Sequence, residues 1–157
     1  MKVLVVILSC ISLLCCRKSD FPAQIFKAKL YLSSGNSFEA RFIDGQVTVI
    51  KSKETYGESL SICGSKSGEY YLCVRIVNPH VGSFFLSEGD AANYVYYGSA
   101  STSSQFFYTT LYGGYGNLEI EVLNDKLLRG HFYADLPGAN AGEMVNVKGA
   151  YFDVKMK

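Results

Sequence analysis

From Ile25 onward, apolar and polar residues alternate in short runs, with turn-forming residues between the runs. A period of two marks a strand that buries one face. The pattern predicts strands over Ile25–Leu32, Ser37–Ile43, Gln46–Lys51, Ser59–Cys63, Glu69–Val77 and Gly82–Leu86. It continues with Asn93–Tyr97, Gln105–Tyr112, Asn117–Leu123, Leu127–Leu136 and Met144–Met156. No segment carries a convincing helical period. Ser87-Glu88-Gly89-Asp90 has the form of a capping box, but Gly89 and the Tyr94-Val95-Tyr96-Tyr97 run favour a loop into a strand. The predicted class is all-β, a single antiparallel β-sandwich of about ten strands, with a closed β-barrel as the alternative.

Finer features of the pattern predict pairings. Asp44-Gly45 between two strands is a hairpin signal, because two-residue turns call for positive φ. Leu118, Ile120 and Val122 face the core on one strand, and Leu128, Phe132 and Ala134 on the next. Matching those faces across a turn at Asp125 places Glu121 opposite Arg129 and Glu119 opposite His131. In the last strand the apolar phase flips between Val145/Val147 and Ala150/Phe152/Val154, which predicts a β-bulge at Lys148-Gly149.

The first residues follow a different rule. Met1-Lys2 is followed by an uncharged run from Val3 to Leu14, then Cys15-Cys16 and Arg17-Lys18. The run is too short for a bilayer, which needs ~20 apolar residues, and it fits the core of a secretory signal. A cysteine closing such a run reads as a bacterial lipoprotein signal. Cleavage before Cys16 puts Leu13 at −3 and compact Cys15 at −1, whereas cleavage before Cys15 would put bulky Leu14 at −1. The expected organisation is a signal peptide over residues 1–15, a lipidated tether over 16–24 with the lipid on Cys16, and a β domain over 25–157.

Composition narrows the functional classes. Lysine and arginine number 15 against 14 acidic residues, and loss of Lys2 with the signal makes the remainder formally neutral. A neutral chain argues against nucleic acid, whose binding needs a basic face to displace counterions. With Cys10 and Cys15 removed and Cys16 lipidated, Cys63 and Cys73 remain as an even pair in an oxidising compartment. Both flank a turn near Gly68, on the face opposite Leu60, Ile62, Leu72 and Val74. They are a disulfide candidate, the alternative being two unpaired thiols.

Catalytic spacings are absent: no Gly-x-Ser-x-Gly, no HExxH, and only His80 and His131 among histidines. No catalytic residue, metal site or cofactor is expected, and the chain reads as no enzyme. Gly113-Gly114-Tyr115-Gly116-Asn117 joins two strands, so it reads as a turn and not as a phosphate cradle, which needs a following helix. The one feature that suggests function is an aromatic cluster: Tyr94, Tyr96, Tyr97, Phe106, Phe107, Tyr108, Tyr112 and Tyr115 around the serine-rich loop Gly98–Ser104. Alternation turns half of these inward. Tyr94, Tyr96, Tyr112 and Tyr115 are the ligand-binding candidates, with the loops Gly98–Ser104, Tyr112–Asn117 and Pro137–Glu143.

Several short segments carry a family resemblance: Phe26-Lys27-Ala28-Lys29 in the first strand, Val81-Gly82-Ser83-Phe84-Phe85-Leu86, and the closing strands with Arg129-Gly130-His131-Phe132 and Val145-Asn146-Val147. With the signal, this layout resembles small lipoproteins of the Bacteroidota, a family catalogued only as a domain of unknown function. The resemblance implies the fold and the anchor and brings no catalytic residues. Arg17 rather than Asp follows Cys16, which points to the outer membrane, facing the periplasm or the surface. The expected function is a non-catalytic binding or interaction module of the cell envelope. Its partners would be the membrane, through lipid, and an envelope protein or glycan. The alternative is a glycan-binding accessory module using exposed tyrosines.

Overall fold

The computed structural model describes residues 23–55, 57–87, 92–99 and 106–156; of residues 99, 106 and 107 it describes only the backbone. The signal segment, Cys16, Glu88–Asp90 and most of the serine-rich loop lie outside the described residues. What remains is an antiparallel two-sheet sandwich of eleven strands. They are β1 (Ile25–Leu32), β2 (Ser37–Phe42), β3 (Val47–Glu54), β4 (Gly57–Lys66), β5 (Tyr70–Val77) and β6 (Gly82–Ser87). Then come β7 (Tyr94–Ser99), β8 (Phe106–Thr109), β9 (Tyr115–Leu123), β10 (Leu127–Pro137) and β11 (Met144–Lys155). Among the described residues, no helix is long and apolar enough to cross a membrane.

One sheet has six strands in the order β2-β1-β11-β10-β9-β6, and the other five in the order β3-β4-β5-β7-β8. The edges β2 and β6 do not close on one another, so the sandwich and not the barrel is the architecture. Alternation decides which side chains enter the core: in β1 Phe26, Ala28 and Leu30 are buried while Lys27 and Lys29 are exposed. Phe26 packs against Phe42, Phe132 and Phe152 at centroid separations of 5.5, 6.1 and 6.4 Å. Between the sheets, Phe42 lies over Gly64 of β4, where a Cβ would come within 2.2 Å of the ring. That glycine lets the sheets approach.

Three expectations need correction. Asp44-Gly45 is not a hairpin: β2 and β3 belong to different sheets, and the turn carries the chain from one to the other. Gln46 N–H donates to the Ile43 carbonyl at 2.9 Å, and only Gly45 of the two central residues has positive φ (86°). The primed hairpin turn with positive φ at both central residues is thus not formed. The segment Gln105–Tyr112 is not one strand either. β8 stops at Thr109, whose hydroxyl accepts from Leu111 N–H at 3.2 Å and caps a 3-10 turn over Thr110–Tyr112. Finally, Arg129 faces Val122 while Gly130 faces Ile120, so Glu121 is the extra residue of a bulge and not the partner of Arg129. Arg129 instead pairs with Asp153 across β11, at 2.7 Å. His131 does lie opposite Glu119. The bulge at Lys148-Gly149 is present: β10 skips from Phe132↔Ala150 to Ala134↔Val147, and Gly149 supplies the left-handed φ of 55°.

Candidate functional site

The four candidate tyrosines fall in three places. Tyr94 and Tyr96 sit on β7, opposite Arg75 and Cys73 of β5, and so share the outer face of the five-stranded sheet. Cys63 and Cys73 are in direct register between β4 and β5 and are joined by a disulfide on this face, with Cα atoms 4.2 Å apart. Around it the rings form a ladder. Tyr71 meets Tyr96 edge-on, with centroids 5.9 Å apart and planes at 66°, and Tyr94 meets Tyr96 at 5.9 Å and 38°. The Tyr96 hydroxyl lies 3.8 Å from Cys63 Sγ. Burial pushes the Tyr96 phenol upward, with Tyr94 and Tyr71 adding to it. The Arg75 guanidinium lies 5.8 Å from the Tyr94 centroid and pairs with Glu54, which also accepts from the Ser59 hydroxyl at 2.8 Å. These rings are tilted, partly buried and bound to neighbours. They do not make a flat stacking platform.

Tyr115 is on the opposite side of the molecule. It pairs with Asp135 on the outer face of the six-stranded sheet, and hydrogen bonding to the Asp135 carboxylate raises its phenol. Two further exposed aromatics share that face, Phe85 (62% exposed) and Tyr133 (53%), both in register with Asn117 of β9. Neither is among the ligand-binding candidates of the sequence. Alternation could have found them, since Phe85 lies between buried Phe84 and Leu86, and Tyr133 between buried Phe132 and Ala134.

Tyr112 ends the 3-10 turn and is half exposed. With Leu111 and the loop joining β10 to β11, it lines an open concavity of about 690 Å³. Here two of the three candidate loops meet. Gly138 N–H donates to the Glu143 carbonyl at 3.0 Å, which folds the loop back on itself. The Glu143 carboxylate accepts from Asn140 Nδ2 at 3.3 Å and from the Tyr108 hydroxyl. Burial, and then Glu143, raise the Tyr108 phenol. Leu111, Pro137 and Met144 supply apolar wall. The third loop, beyond Ser99, lies outside the described residues.

The histidines do not come together as a site. His80 Nδ1 is 3.0 Å from the Asn78 carbonyl, and its ring packs 4.6 Å from Phe84. His131 stands half exposed on an open sheet face, with Glu121 at 3.0 Å on Nδ1 and Glu119 at 3.5 Å on Nε2. Its two carboxylates therefore sit on opposite nitrogens and do not converge on one ion. Ser83, Glu119 and His131 do share one row across β6, β9 and β10. The carboxylate is in the middle, however, whereas a serine relay needs the imidazole between hydroxyl and acid. Among the described residues, no group of three potential metal ligands occurs.

Compared with known protein families, curated proteins and solved structures, the chain matches none. Function must therefore be read from the geometry.

Proposed function

We propose that the chain is a non-catalytic binding module of a bacterial cell envelope, tethered to the outer membrane by lipid on Cys16. It engages an envelope partner through the concavity between the Thr110–Tyr112 turn and the β10–β11 loop. One observation carries the binding site: an exposed tyrosine, apolar wall and a carboxylate–amide pair line the same open concavity. Apolar lining with a few oriented polar groups is the usual make-up of a ligand site. The anchor rests on the apolar run that ends in Cys15-Cys16 and on the lipoprotein resemblance. A Cys63–Cys73 disulfide is in keeping with export, since such bonds persist in oxidising compartments.

A second reading, a glycan-binding accessory module, draws on the same place. Tyr112 offers a ring to an apolar sugar face, and Asn140 and Glu143 offer hydrogen bonds to hydroxyls. Both readings are tested by titrating the mature protein against solubilised envelope proteins and purified envelope glycans. Tyr112→Ala is expected to weaken the productive interaction by about tenfold or more, as loss of an aromatic anchor does. Unchanged affinity would remove the concavity as the site. For the anchor, Cys16→Ser is expected to abolish palmitate labelling, and persistent label would overturn it.

A further inference from the structure

The six-stranded sheet divides its outer face by charge. Toward β9 and β10 the charges are partnered: Arg129 with Asp153, and Glu119 and Glu121 with His131. Toward β2, β1 and the bulged part of β11, four cations are not. Lys27 lies directly opposite Arg41, and Lys29 directly opposite Lys148 on one side and Glu39 on the other. All four are exposed, and among the described residues none of them forms an ion pair with a carboxylate. Like charges directly across a strand pair are destabilising. Two such pairs side by side, in a chain with a net charge of only +1, are a cost that a basic composition does not explain. The Lys29 and Lys148 ammonium groups both lie over the Tyr31 ring, at 5.1 and 5.2 Å from its centroid, so the ring holds two cations near each other. Lys27, Lys29, Lys148 and the bulge residue Gly149 line a shallow concavity of about 260 Å³ in which Glu39 is the one acid.

We propose that this half of the outer face, on β2, β1 and β11, lies against an anionic lipid surface, its four cations meeting lipid phosphates. The inference rests on the lipid anchor proposed above. β1 is the first strand after the tether, and the nine residues from Cys16 to Ile25 reach about 30 Å at most when fully extended. Lys27 and Lys29 are the second and fourth residues after Ile25 in sequence, so the anchor holds them within reach of the headgroups. The cations also span three neighbouring strands, about 10 Å across. That spread suits an array of phosphates better than one small anion.

The test uses the mature lipidated protein on vesicles of phosphatidylcholine alone and of phosphatidylcholine with phosphatidylglycerol. Lysines are acylated with a membrane-impermeant reagent and mapped by mass spectrometry. Lys51 and Lys53 on β3 of the other sheet serve as reference. Lys27, Lys29 and Lys148 are expected to react at least about fivefold more slowly on the anionic vesicles only, the factor that one surface cation contributes to membrane binding. High salt should restore their reactivity. Equal reactivity on both vesicles overturns the proposal. Protection that ignores lipid charge and grows with protein density points to a second copy and also overturns it. The mass of the Cys16 peptide reads the anchor separately. If that peptide carries no lipid the anchor reading fails, and sedimentation of the unlipidated chain with the same vesicles tests the face alone. Salt-sensitive pelleting with anionic lipid is then expected, and no pelleting overturns the docking.

Discussion

On the five-stranded sheet, the outer face is tied together covalently and by rings: the Cys63–Cys73 bond, the Tyr71–Tyr96–Tyr94 ladder, and Arg75 held between Tyr94 and Glu54. On the six-stranded sheet, the corresponding face leaves Phe85, Tyr115 and Tyr133 exposed and sets Lys27 against Arg41 and Lys29 against Lys148. The inner faces are alike, both aliphatic and aromatic. The contrast teaches that the two outer faces differ in how far they satisfy their own groups. A face whose groups satisfy one another contributes to folding, and a face that leaves like charges adjacent is suited to something outside the chain.

The comparison can be broken most severely where both sheets share one contact. Phe42→Ala removes the ring that packs on Phe26, Tyr70 and Gly64, and should destabilise by about 3–5 kcal/mol in urea denaturation. Both sheets should lose structure in one transition, and two separate transitions would show that they are not one cooperative unit. A smaller effect separates the sheets. Cys63→Ser/Cys73→Ser opens a bond between residues 10 apart and should cost about 2–3 kcal/mol by the loop-entropy relation. Amide exchange should quicken in β4 and β5 first. Equal quickening in β10 and β11 would contradict the separation. The smallest effect is one of pH. Burial, with Tyr108 and Tyr70 adding to it, pushes Tyr97 up to about 12. The folded state thus keeps a proton that the unfolded chain releases near 10, and Tyr97 contributes its full stability below that point. Stability should fall by about 2 kcal/mol as pH rises from 10 to 12, and Tyr97→Phe should flatten that slope. An unchanged slope would mean another group carries it.

Much of the fold was legible because a buried face writes itself into alternation. β1 matches the predicted span, and the phase flip at Lys148-Gly149 marks a true bulge. The odd-numbered cysteines meet because their strands pair without a shift. What failed depended on partners that local pattern does not encode. Glu121 and Arg129 have the right parity to meet, yet the bulge in β9 moves them apart and Asp153 takes the arginine. Asp44-Gly45 looks the same whether the next strand returns beside β2 or crosses to the other sheet. The site was less legible still. Tyr94 and Tyr115 are close in sequence density but end on opposite faces, and the concavity beside Tyr112 needs a loop from β10 that only the sheet order brings near. The like-charge pairs were invisible for the same reason: Lys29 and Lys148 meet only once register is known.

β11 lies between β1 and β10, so the last strand of the chain fills the middle of its larger sheet. The first strand therefore has β2 as its only neighbour until the final residues arrive. A chain made in order would stay open along this seam during its synthesis, and its central pairings would form only once β11 is complete. Any nascent chain cut short before Met144 would present two unpaired strand edges, a mark by which unfinished copies could be told from finished ones.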